Sequence, residues 1–318
     1  MAVTTAVALD KLLKREYPWL KTIIMQGGTL RQKYPEIISK TKQVFFHQIA
    51  AFVLFQTSPL IIYTYASLTL VAVYGNYMLI ITGVTLLMDA LLRSINAGVG
   101  SLVAEGDKER IKKVFWELTS LRLWLASVVC FGIYKLGHSF IILWVGNDFL
   151  LEQSAFIVLI AITFIGLSRT NDTFLAAYGL FQDVWAPVTE AVLNLGLSIL
   201  LGYYYGLTGI LSGVLISLLV IVCIWKPLFL YKCGFKENIG EYVIRLFKYL
   251  ALIAVSCISI SWLGDCLFSN SFHSYGQWCL YAFKLLVLYT LFSLALFLCL
   301  DKASRSYVIR FKLLLTKK

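Results

Sequence analysis

Stretches of about 20 mostly apolar residues, each long enough to cross a bilayer as a helix, recur along most of this chain. Eight can be counted, at 46–69, 74–99, 115–136, 149–178, 184–203, 207–227, 243–263 and 278–300. The first is the most polar, because Gln48, Gln56, Thr57, Ser58 and Pro59 interrupt it. Such a span persists only where protein or water satisfies its side chains and backbone. With 59% hydrophobic and 14% charged residues, the chain departs from soluble domains, in which about 25% of residues are charged. The expected fold class is an all-α polytopic membrane protein of eight transmembrane helices.

The 28 Lys and Arg against 17 Asp and Glu give a net charge of +11. In a soluble protein this surplus would suggest nucleic acid as a partner. Here it follows from basic cytoplasmic loops, and no nucleic-acid binding is expected. If the amino terminus lies inside, 23 of the 28 Lys and Arg fall on the cytoplasmic side and Lys135 alone falls in an outer loop. Both termini are therefore expected in the cytoplasm, with an even number of spans. Residues 1–43 form a basic cytoplasmic segment with no apolar core of signal-peptide length, and 30–42 suit a helix at the membrane surface. The remaining divisions are a six-helix bundle over 44–230, a cytoplasmic loop over 231–242, two further helices over 243–300 and a basic tail over 301–318.

The segment 169–217 sets the terms for function. It is apolar throughout, yet it carries Arg169, Asp172, Glu190 and Asn194 at depths where an ionised side chain costs about 2.5–3.5 kcal/mol, so these groups belong in a bundle interior or a wet cavity. Arg169 and Asp172 stand three apart on one face and suit a self-neutralising pair, either structural or lining a cavity. Glu190 has no basic neighbour one turn away, and Asn194 follows it on the same face; they suit either a solvated interface or coupling to a cation or proton. Asp89 and Arg93, four apart, suit a structural ion pair or a cavity role. Arg122, two turns into its span, is expected to snorkel to the surface, the alternative being an anion site. Lys284 is likewise expected to snorkel. Gly206, Gly209, Gly213 and Ser217 form a small-residue stripe that suits close helix packing.

Other chemistry is not indicated. The seven cysteines have no metal-ligand spacing; Cys266 and Cys279 are read as free thiols near the outer face, with a disulfide as the alternative. His47, His138 and His273 are isolated and compose no catalytic triad. No phosphate-binding glycine loop is present. No cofactor, no metal and no catalytic residue is expected, and the chain is read as a non-enzyme.

FFHQIAAFVLFQTSPLIIYTYASLTLVAVYGNYMLI (45–80), with Tyr74, Asn76 and Tyr77, resembles the opening of the second lobe of polysaccharide repeat-unit flippases. These form the Wzx-type branch of the multidrug/oligosaccharidyl-lipid/polysaccharide exporter superfamily. NAGVGSLVAEGDKER (96–110) resembles their cytoplasmic turn, and TEAVLNLGLS (189–198) their Glu-Ala-x-x-Asn-x-x-x-Ser helix. The resemblance runs from about Lys40 onward and implies the second six-helix lobe of a fourteen-span member plus two extra helices, with the first lobe missing. It implies transport of a polyprenyl-diphosphate-linked oligosaccharide in O-antigen, lipopolysaccharide or capsule assembly, across a bacterial inner membrane and driven by an ion gradient or product use. Arg122, Arg169 and Gln56 are then the substrate-binding candidates, and Asp172, Glu190 and Asn194 the ion-coupling candidates. Because alternating access needs two lobes, a separately encoded first lobe or self-association is expected. The alternatives are a polymerase or acyltransferase of polysaccharide assembly, and an inactive scaffold fragment.

Overall fold

A computed structural model describes residues 2–19, 27–33, 35–65, 67–267 and 274–306, though not every side chain within them. Among these residues all regular structure is helical. Two compact units are distinguished, Met1–Phe45 and Phe46–Lys318. The first contains α1 (Ala2–Glu16), α2 (Gly27–Lys33) and the beginning of α3 (Pro35–Tyr65). The helix expected at 30–42 is thus divided between α2 and α3, with Tyr34 outside the described residues.

Among the described residues of the second unit, six helices are long and apolar enough to cross a membrane: Leu68–Leu92, Lys108–Trp144, Gln153–Ala177, Trp185–Phe235, Gly240–Leu267 and Tyr275–Leu300. The protein is an all-α, multi-pass membrane protein. The first expected span falls mostly on side chains outside the described residues, among them Gln56, Thr57 and Ser58; its backbone is helical as far as Tyr65. The next helix starts earlier than hydropathy places it. Ser67 caps α4 (Leu68–Glu105), its Oγ accepting from the Leu70 N–H at 3.1 Å, and a cap supplies one of the partners that the first helical N–H groups lack.

The Gly-Asp pair that follows α4 has a local physical role. Gly106, at φ +79, takes the left-handed conformation that ends α4. Asp107 then caps α5 (Lys108–Trp144), with Oδ1 accepting from the Arg110 N–H at 3.1 Å. The expected span 149–178 is not continuous. It breaks into α6 (Gln153–Leu167) and α7 (Thr170–Ala177), with Ser168 and Arg169 between them.

The longest candidate span, Trp185–Phe235, doubles back on itself. Within α8 (Trp185–Leu218), Gly206 has φ +57 and ψ −137, far from helical values. The Ser198 Oγ donates to the Ile210 carbonyl at 2.9 Å, whereas twelve residues of straight helix would separate those positions by about 18 Å. Residues 185–205 and 207–218 are therefore antiparallel arms, agreeing with the two spans expected at 184–203 and 207–227. The small-residue stripe is the seam of this hairpin. A methyl group at Gly209 would overlap the Leu201 carbonyl oxygen, and one at Gly213 would overlap the Ser198 backbone.

The second arm continues through π-helical turns at Leu219–Trp225 and Leu230–Phe235, flanking α9 (Lys226–Phe229). Pro227 sits between the wide turns and lacks the N–H that a regular ladder would use. The helix thus runs to Phe235, and the loop expected at 231–242 shrinks to 236–239 before α10 (Gly240–Leu267). α10 and α11 (Tyr275–Leu300) pack against α5.

Polar contacts define two ends of the bundle. At the Gly206 end, Ser154 and Thr208 share a hydrogen bond of 2.9 Å and the Lys135 Nζ lies 2.9 Å from Asp265. At the other end the Lys112 Nζ holds Glu237 and Glu241 at 2.6 and 2.7 Å. Lys108, Arg110, Lys113, Lys236 and Lys302 also lie at that end, the asymmetry expected of a basic cytoplasmic face.

Candidate functional site

A cavity of about 730 Å³ opens between α4, α5, α6, α7, both arms of α8 and α9. Its chemistry changes along its length. Toward the Gly206 end the walls carry Tyr74, Met78, Ile81, Leu159 and Leu211. Toward the basic end they carry Asp89, Asn96, Arg122, Arg169, Asp172, Thr173, Glu190 and Lys226. The volume falls in the range of ligand sites, about 300–1,000 Å³.

Arg122 is the residue that ties this site together. It is 8% exposed, so it does not snorkel: its guanidinium points across the bundle. Nη1 donates to the Arg169 carbonyl at 3.0 Å, and Nη2 donates to the Asn96 Oδ1 at 2.8 Å and to the Thr173 Oγ1 at 3.1 Å. The break between α6 and α7 explains the first bond. A carbonyl released from the helical ladder needs a donor at membrane depth, and a guanidinium supplies one. All three acceptors are neutral, and the Arg122 Nε is buried with no partner. No carboxylate lies within ion-pair distance of Arg122 among the described residues.

The other cations are tied to acids. The Lys226 Nζ lies 2.9 Å from the Asp172 Oδ1. Arg169 lies 3.6 Å from the Asp172 Oδ2 through Nη1 and 3.7 Å from the Glu190 Oε1 through Nη2. The i,i+3 pair of Arg169 and Asp172 is present, although Arg169 precedes α7 instead of sitting within it and Lys226 makes the shorter contact. Glu190 is not a lone interfacial carboxylate. It is buried at 4% exposure, and its basic partner, Arg169, comes from the break between α6 and α7, which spacing along α8 does not reveal.

Asn194 is buried beside Glu190 in the cavity wall, its Oδ1 accepting from the Ser198 Oγ at 3.3 Å. Asp89 lines the same cavity; its expected partner Arg93 has a side chain outside the described residues, as does the substrate-binding candidate Gln56.

Three contributors were not singled out from sequence. Asn96 and Thr173 are neutral and carry no insertion penalty large enough to draw notice. Lys226 counts, in sequence, among the 23 cytoplasmic Lys and Arg, yet it follows a π-helical turn and lines the cavity. Outside the site, the cysteines at the Gly206 end, Cys266 and Cys279, are free thiols. Lys284 is exposed on α11. His138 sits between the Tyr77 hydroxyl at 3.4 Å and the Leu151 carbonyl at 3.2 Å.

The chain matches no protein-family model, no curated protein and no solved structure.

Proposed function

We propose that the protein is a transporter of a lipid-linked oligosaccharide, acting as one bundle of a repeat-unit flippase in a bacterial inner membrane, with the basic end facing the cytoplasm. The observation that carries this reading is Arg122: a buried cation whose described partners are all neutral, held in a cavity that is apolar at one end and polar at the other. A guanidinium whose described hydrogen-bond acceptors are all neutral suits an anionic headgroup such as a diphosphate, which it contacts through two parallel hydrogen bonds. The apolar end suits the nonpolar part of the same molecule. Arg169 and Lys226 are kept for the chain of ion pairs that runs from Lys226 through Asp172 and Arg169 to Glu190, the groups best placed to respond when a charge enters.

The cavity also calls for a second wall. Thr82, Asp89 and Asn96 line it and remain exposed, and polar groups on a membrane helix normally face protein or a wet lumen. A second bundle, encoded separately or supplied by another copy, would close that side.

Reconstituted liposomes test both parts. The chain is assayed, alone and with a co-expressed six-span partner, for movement of a fluorescent polyprenyl-diphosphate oligosaccharide. Arg122→Ala is expected to slow flipping at least tenfold in the active assembly, about 1.4 kcal/mol or more in barrier. Arg122→Lys is expected to slow it nearly as much, because an ammonium cannot bridge the same acceptors. Unchanged flipping by both variants would overturn the assignment.

A further inference from the structure

The Met1–Phe45 unit carries a surface that the cavity does not use. In α1, Leu9, Leu12 and Leu13 are 57%, 59% and 47% exposed, and Trp19 just beyond the helix is 72% exposed. At about 100° per residue, the three leucines share an arc of about 100°, while Lys11, Lys14 and Arg15 occupy the opposite side. Among the described side chains Val7 is the one large apolar residue on the basic side, and Glu16 sits at the C-terminal end of the leucine arc beside Tyr17. A helix this short with one apolar stripe, a cationic face and flanking aromatics has the form of an interfacial helix. It is too polar to span.

Charge selects the surface it fits. In sequence, residues 1–45 hold Lys11, Lys14, Arg15, Lys21, Arg31, Lys33, Lys40 and Lys42 against only Asp10, Glu16 and Glu36. Asp10 is engaged by the Lys14 Nζ at 2.7 Å. The rest of the chain anchors this unit to a bilayer, so a leaflet is always within reach. We infer that α1 binds a membrane leaflet bearing anionic lipid headgroups, with Leu9, Leu12 and Leu13 at the acyl boundary and the long basic side chains bent back to the phosphates. Each basic residue near such a surface contributes to attraction within a Debye length. The helix thereby reports the lipid composition of the leaflet, independently of what the cavity carries.

Hydrogen exchange on the full chain in nanodiscs tests this. Backbone amides of 7–19 are expected to exchange at least tenfold more slowly in discs containing phosphatidylglycerol than in discs of phosphatidylcholine alone, and 0.5 M salt is expected to erase the difference. The triple variant Lys11→Glu, Lys14→Glu, Arg15→Glu is expected to lose the protection while the amides of α5 and α11 stay protected, which shows that the bundle is folded. Equal protection in both lipids would mean docking on protein or purely apolar insertion. No protection in either would mean a solvated helix. Either result overturns the inference.

Discussion

The two sides of α5 use similar polar residues to opposite ends. Facing α10 and α11, its neighbourhood is closed by short, specific bonds. The Trp124 Nε1 donates to the Ser293 Oγ at 3.0 Å, the Trp278 Nε1 donates to the Ser139 Oγ at 3.0 Å, and the Tyr275 hydroxyl donates to the Leu143 carbonyl at 2.8 Å. Phe131 and Tyr289 stack with centroids 4.1 Å apart. Facing the cavity, Arg122 hydrogen-bonds three neutral acceptors, and the Arg169 ion pairs stretch to 3.6 and 3.7 Å. Loosely paired charge beside open volume can be rearranged by a ligand at small cost, whereas a closed seam cannot. On the proposed function, holding falls to the α10–α11 side and exchange to the α6–α8 side.

The largest expected effect concerns the one rigid element on the cavity side. If the α8 hairpin depends on backbone contact at Gly209 and Gly213, then Gly213→Ala forces the arms apart. The cost is expected to reach or exceed the upper end of the 1–3 kcal/mol typical of overpacking. Gly83→Ala is the control, because a methyl there meets nothing within 4 Å, and it should stay within about 0.5 kcal/mol. Thermal unfolding followed by size-exclusion chromatography distinguishes them. Equal midpoints would remove the hairpin from the account and leave the cavity without its fixed wall.

Much of this arrangement was legible in the residues themselves. The expense of charge in hydrocarbon picked out Arg169, Asp172 and Glu190, and all three meet in one place. Small-residue spacing found the Gly209 and Gly213 seam, although not that it joins two arms of one hairpin. What sequence did not convey is where each charge finds its partner. Glu190 lacks a cation on its own helix and gains Arg169 from the α6–α7 break; Arg122, near enough to a helix end to snorkel, is drawn inward by a carbonyl that only that break exposes. Helix interruptions need no proline or glycine here, since Ser168 and Arg169 mark the break with neither. The same holds for Lys226, which counts among the cytoplasmic cations at the end of the span expected at 207–227 and lines the cavity instead; the π-helical turn before it shifts every later side chain around the axis relative to a regular count.

A middle-sized effect is expected at that lysine. Lys226→Met and Asp172→Asn, alone and combined, form a double-mutant cycle across the 2.9 Å contact. The side chains are 17% and 29% exposed, so the pair is shielded from bulk water but open to the cavity. A coupling of about 1–3 kcal/mol is expected in chemical unfolding of the reconstituted protein. Asp172→Asn alone leaves Lys226 and Arg169 as like charges and should cost more than the double variant, whereas Lys226→Met alone leaves Asp172 its longer contact with Arg169 and should cost less than Asp172→Asn. Independent, additive costs would mean that the cavity charges act singly and are not linked.

The smallest effect should come from the other side of α5, where the Lys135 Nζ bridges both oxygens of Asp265 at 2.9 and 3.0 Å. Its geometry is better than that of either Arg169 pair, and distance alone would rank it above them. Asp265, however, is 51% exposed and sits at the Gly206 end, where water and salt screen the attraction. Exposed pairs of this kind contribute about 0.2–1 kcal/mol, so Lys135→Met, Asp265→Asn and the double variant should unfold within about 1 kcal/mol of one another, with flipping unchanged. Raising the salt concentration should shrink even that difference. A coupling here as large as that between Lys226 and Asp172 would break the contrast between the two sides, because burial beside the cavity, and not ion-pair geometry, is what the contrast rests on.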